Sequence, residues 1–175
     1  MAVLKNIDKA AEEKGSFLVT AWQFVKFIVV SLLAMIVQFV LLNTLQLIPA
    51  VKELYSQDFS WWVFAYPVAV GGLGYFIVSN VANIIAQIVA FFVNKEKTFN
   101  SGANVAITLP IYIVFTIALI FFSAWLNPTL KEVFVGWELE EAAAKNIATM
   151  VCSAVQFFLY FPVDKILFHK KKEEK

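Results

Sequence analysis

Amides recur at helical spacing inside the most apolar part of this sequence. Asn80, Asn83, Gln87 and Asn94 fall within an arc of roughly 60° at 100° per residue, so they form one polar stripe on an otherwise greasy helix. The stripe is about 21 Å long at 1.5 Å per residue, most of a ~30 Å hydrocarbon core, and it ends abruptly in Lys95, Glu96 and Lys97. Amides so deep in lipid must face protein or water, because an unsatisfied polar group there costs several kcal/mol. Two kinds of work are open to them: gluing one helix to the next, or lining a polar cavity. A second stripe, Asn146, Thr149, Ser153, Gln156, Tyr160 and Asp164, is about 80° wide, and a third, Thr108, Tyr112, Thr116, Ser123 and Asn127, about 100°. Several such faces together favour a shared cavity over glue alone. Its expected lining is Gln38, Asn80, Asn83, Gln87, Tyr112, Thr116, Ser153, Gln156, Tyr160 and Asp164.

Catalytic chemistry is poorly provided for. Cys152 is the single cysteine, set in an apolar run, and His169 is the single histidine, set among lysines; neither suggests a metal site. There is no Gly-rich phosphate loop and no nucleophile beside a histidine. Glu138, Glu140 and Glu141 read as a solvated charge run. No catalytic residue, metal or cofactor is therefore expected, and the chain is not expected to be an enzyme. A small cation or drug exporter would want a carboxylate mid-helix, whereas the nearest acid, Asp164, stands at the end of its helix.

The elements that must hold the stripes follow from composition. The chain is 61% hydrophobic and 15% charged, with a mean hydropathy of +0.75, which marks an integral membrane protein of all-α, polytopic class. Residues 1–20 form an N-terminal segment, with Met1 to Gly15 suited to an amphipathic surface helix or a loose tail, and no cleavable signal peptide is expected. Residues 21–169 form the membrane domain and 170–175 a lysine-rich tail. Four spanning helices are predicted at about Phe24 to Leu47, Gly72 to Asn94, Val105 to Leu126 and Asn146 to Phe168. Pro49 to Ser60 and Pro128 to Lys145 are the expected outer loops, and Trp61 to Val70 an interfacial or re-entrant stretch anchored by Trp61 and Trp62. Eleven lysines fall on one side of this arrangement and Lys52, Lys131 and Lys145 on the other, which predicts both termini and the Thr98 to Asn104 link on the cytoplasmic side of a cytoplasmic membrane.

The sequence also echoes itself. Asn83 stands eleven residues before Asn94-Lys95, and Ser153 eleven before Asp164-Lys165. Each pair closes the second helix of a hairpin, as in parallel repeats about an axis along the membrane normal. Lys26, Asn94, Lys95, Lys97 and Lys165 are thereby gathered at one mouth, where ammonium groups and an amide could meet a phosphate.

The run ANIIAQIVAFFVNKEKTF, Ala82 to Phe99, resembles the signature of GtrA-like proteins, in which the second of four helices ends in Asn, a basic residue and Trp-Thr-Phe. Asn94, Lys95, Thr98 and Phe99 match, while Lys97 stands where the family has Trp. The opening around Phe24, Lys26 and Phe27 is similar to the family's first helix, and FFLYFPVDKILF, Phe157 to Phe168, to its last. The resemblance implies movement of a polyprenyl-phosphate-linked sugar across the cytoplasmic membrane for surface polysaccharide glycosylation, beside a membrane glycosyltransferase. A non-transporting subunit that stabilises such a glycosyltransferase is the alternative. The bilayer is an expected partner, nucleic acid is not, and a homodimer is compatible because four helices are few to enclose a sugar phosphate.

Overall fold

The computed structural model describes the chain over residues 2–169, and within it the side chains of residues 7–140, 143, 144 and 146–169. The 170–175 tail, and the side chains of Lys5 and Lys145, lie outside the described residues. The elements are α1 (Ala2–Glu13), α2 (Ser16–Leu45), a one-turn α3 (Pro49–Lys52), β1 (Phe59–Trp61), β2 (Phe64–Tyr66), α4 (Gly72–Val93), α5 (Val105–Gly136) and α6 (Glu141–Leu167). Four helices are long and apolar enough to cross a membrane: Ser16–Leu45, Gly72–Thr98, Val105–Gly136 and Asn146–Leu167. The protein is thus an all-α polytopic membrane bundle, with one short hairpin as its β structure among the described residues.

Small residues decide how the helices pair. On α4, Gly74, Val78, Ala82, Ala86 and Ala90 recur every fourth position and are all buried. A row at this spacing forms one ridge, and its lack of bulk lets α2 approach through Val30 and Ala34. On α6, Ala144, Ala148 and Cys152 make the matching row, continued by Gln156, Tyr160 and Asp164, and α5 packs along it. The α4 row leads at the same spacing to Asn94, seventy positions before Asp164, and these two side chains are hydrogen-bonded to each other. The internal echo is therefore structural: two hairpins, α2 with α4 and α5 with α6, meet where their equivalent rows end.

Three boundaries differ from expectation. α2 begins at Ser16, a good two turns before Phe24, because α1 folds against it: Asp8 accepts from the Trp22 indole at 2.7 Å and from Lys26 at 2.9 Å. The N-terminal segment is thus helical rather than loose, and Gly15 turns the corner at a φ of 105° that suits glycine. α5 runs on through Pro128 to Gly136, so most of the expected second outer loop is helix and only Trp137 to Glu140 connects to α6. Membrane and interfacial helices tolerate a proline where neighbouring groups re-satisfy the backbone, and here Thr129 bonds back to the Trp125 carbonyl at 2.8 Å. The Trp61 to Val70 stretch is a β-hairpin followed by a tight turn, Val68–Val70. Phe64 of that hairpin packs edge-to-face on Phe76 of α4 at 5.1 Å and Phe121 of α5 at 5.0 Å, capping the bundle.

Candidate functional site

Within α4 and α6 the stripes do two jobs at once. Several of their groups bridge helices: Tyr112 on α5 donates to Gln87 on α4 at 3.0 Å, Tyr160 on α6 donates to Thr116 on α5 at 3.1 Å, and Asn127 donates to Thr149 at 3.1 Å. Gln156 donates to Ser123 as well. Others turn back onto their own helix, as Asn80 does to the Phe76 carbonyl at 2.7 Å and Ser31 to the Phe27 carbonyl at 2.9 Å. Each bond removes a polar group that lipid would otherwise penalise.

The same stripes line two cavities. An inner one of about 160 Å³ is bounded by Ser31, Gln38, Gln87, Asn94, Tyr112, Ser153, Gln156 and Tyr160 among apolar neighbours. An outer one of about 560 Å³, under the hairpin, is bounded by Gln38, Asn80, Asn83, Ser123, Asn127 and Gln156 with Tyr66 and Tyr75. Burial pushes the Tyr66 phenol above its ordinary value, and the neighbouring Tyr75 adds to it, so Tyr66 meets the cavity as a neutral hydroxyl. Gln38 and Gln156 belong to both linings, one from each hairpin, and stand between the two cavities. At roughly 30 Å³ per water the inner space holds a handful of waters, whereas the outer one falls within the roughly 300–1,000 Å³ of small-ligand sites.

Of the ten residues expected to line a cavity, Thr116 and Asp164 do not. Thr116 shares the polar face of α5, but Tyr160 covers it and it is buried. Asp164 lies beneath Asn94, with no exposed surface. Asn94 donates to Asp164 Oδ2 at 2.8 Å and accepts from the Thr98 hydroxyl at 2.8 Å, a contact made when α4 widens into a π turn over Asn94–Thr98. Beside this trio an aromatic layer closes the bundle: Phe91, Phe99 and Phe168 are buried, with Phe91 and Phe168 rings 5.1 Å apart.

The five residues expected at a phosphate mouth are spread rather than clustered. Lys26 is engaged by Asp8 of α1. Lys95 is buried and donates to the Ser101 carbonyl at 3.1 Å, with Glu96 at 3.4 Å, so it braces the turn between α4 and α5. Lys97 is exposed. Lys165 donates to Thr20 of α2 at 2.6 Å and lines a third cavity of about 520 Å³ with Gln23, Phe99, Phe168 and His169. Asn94 alone of the five reaches the inner cavity. This lysine-end pocket was not expected: its polar lining comes from Glu12 on α1, from Ser16, Thr20 and Gln23 at the start of α2, and from Lys165 and His169 at the end of α6, and nothing in their spacing along the sequence relates them. No family model matches the chain, and neither a curated protein nor a solved structure matches it.

Proposed function

We propose that the protein is a GtrA-like translocator, which moves a polyprenyl-phosphate-linked sugar between the leaflets of the cytoplasmic membrane and makes no covalent change to it. The observation that carries this reading is the pair of cavities with amides and hydroxyls in their linings, which share Gln38 and Gln156 and lie inside a bundle whose outer surface is apolar. A polyprenyl tail needs no polar route, since it stays in lipid; the phosphate and sugar do. The outer cavity is large enough for a sugar, and the inner one would have to widen for passage. In this reading the Asn94 end faces the cytoplasm, on the eleven-to-three lysine split, and the lysine-end pocket with Lys165 and Thr20 is where a phosphate first meets the protein.

A second reading has its own observation. The hydrogen bonds that Gln87, Thr116, Ser123 and Thr149 accept from facing helices are what a purely structural subunit, stabilising a membrane glycosyltransferase, would also display. Reconstitution separates the two. Liposomes carrying the purified protein and a fluorescent polyprenyl-phosphate-linked sugar should lose fluorescence completely to a membrane-impermeant quencher if the lipid crosses. Loss of only the outer-leaflet share, as in protein-free liposomes, would favour the structural subunit.

A further inference from the structure

Asp164 is an acid sealed inside an apolar bundle without a cation. Its side chain has no exposed surface, and neither ion pair among the described residues involves it. Oδ2 accepts from Asn94 at 2.8 Å, while Oδ1 has no hydrogen-bond partner among the described residues. Asn94 cannot turn to help it, because its own oxygen is occupied by the Thr98 hydroxyl. The lysines of the packed elements are directed elsewhere: Lys26 of α2 to Asp8, Lys95 of the π turn to the Ser101 carbonyl, and Lys165 on α6 itself to Thr20. The hydroxyls of Tyr112 on α5 and Tyr160 on α6 are committed to Gln87 and Thr116.

We propose that Asp164 is a proton-binding site set between the inner cavity and the lysine-end pocket, whose occupancy keeps the aromatic layer closed. A proton on Oδ1 cancels the buried charge and turns the Asp164–Asn94 contact into a neutral acid–amide pair. When Oδ1 releases that proton to water, a bare carboxylate remains one helical turn from Phe168, whose ring packs on Phe91 and Phe99, and a carboxylate with an unmet oxygen draws water toward it. The two nearest watery spaces are reached through its own neighbours. Asn94 lines the inner cavity; Lys165 and Phe168 line the lysine-end pocket. One proton taken from the first and given up to the second balances the step, with no other atom exchanged. The repeat gives the site its place: the equivalent ends of the two hairpins are joined by this pair, so a charge here acts on the seam between the halves. The inference does not depend on what the bundle carries.

The test uses the full chain in lipid nanodiscs. Isotope-labelled aspartate confines an infrared titration to Asp8, Asp58 and Asp164, of which Asp8 and Asp58 reach solvent. A protonated-carboxyl band should be present at neutral pH and absent from Asp164→Asn. In a Cys152→Ser background, a cysteine at Ala103, buried beside the layer, reports its opening by alkylation. The alkylation rate, divided by that of the same probe in Asp164→Asn, should climb with pH as the band disappears, up to about tenfold per pH unit within the titration. The infrared arm on the labelled native chain decides the matter even if Asp164→Asn fails to fold. Only carboxylate bands at neutral pH, a band that sodium removes at fixed pH, or equal alkylation rates with and without the acid would each overturn the proposal.

Discussion

Asn94 ties the ends of α4 and α6 together, with both ends of its amide engaged. It holds Asp164 with its amide nitrogen and Thr98 with its oxygen, while showing about 1% of its surface. Asn94→Ala should therefore lower stability by roughly 1–3 kcal/mol, since it strands a buried carboxylate oxygen and a buried hydroxyl together. Asp164→Asn should cost much less, because an amide oxygen still accepts from Asn94. Unfolding in detergent followed by circular dichroism would read this order, and Asp164→Asn proving the worse of the two would contradict it. Lys95→Gln should also damage the protein, through the turn it braces at Ser101, whereas Lys97→Gln should leave stability unchanged. The prominence of Asn94, Lys95 and Asp164 was legible in the sequence from their matched spacing in the two halves. That Asn94 bonds Asp164 was not legible, because periodicity places residues on faces and says nothing of which faces meet. For the same reason Thr116 read as cavity lining: its face was right, but Tyr160 from another helix covers it.

At the scale of elements, the long apolar helices were readable because membrane length and hydropathy constrain them strongly, and the second helix begins and ends within a residue of expectation. The cap over the outer cavity was not. Strands of three residues carry too little alternation to be seen, and Trp62 turns the hairpin at a φ of 51°, which its residue type does not announce. The glycines after it are explained by the structure. Gly72 has a φ of 56°, and a Cβ there would stand 2.2 Å from the Gln57 carbonyl oxygen; at Gly74 it would stand 2.7 Å from the Tyr55 backbone nitrogen. The Glu53–Ser56 turn rests on the start of α4 because these positions are bare. Gly74→Ala should push that turn away at a cost of about 1–3 kcal/mol, with the loss confined to the cap. Hydrogen exchange should show it as faster exchange of the Leu73 amide, which bonds Gln57 at 2.8 Å, with the α6 amides unchanged.

The whole molecule is two hairpins whose small-residue ridges form the seams and whose amide stripes line the cavities between them. The orientation proposed from lysine placement is open to direct measurement. Single cysteines at Ser56 and Glu138, both exposed at the Trp61 end, should react with an impermeant reagent outside intact cells. One at the exposed Gly102 should not, and it is a better reporter than Ser101, which is fully buried. Labelling at Gly102 from outside would reverse the orientation. The central claim is that the inner and outer cavities form one route for a lipid-linked headgroup, with Gln38 and Gln156 at its neck. Gln38 sits on α2 one turn beyond Ala34, half-buried and outside the buried Val30, Ala34, Ala86 and Ala90 cluster, so a larger ring there fills space that both cavities share. The measurement is therefore the rate at which a fluorescent polyprenyl-phosphate-linked sugar changes leaflets in liposomes carrying Gln38→Phe, set beside the native chain at equal protein content. The account expects movement with the native chain and its loss, tenfold or more by a barrier of about 1.4 kcal/mol, with Gln38→Phe. Equal rates for the two proteins would contradict it.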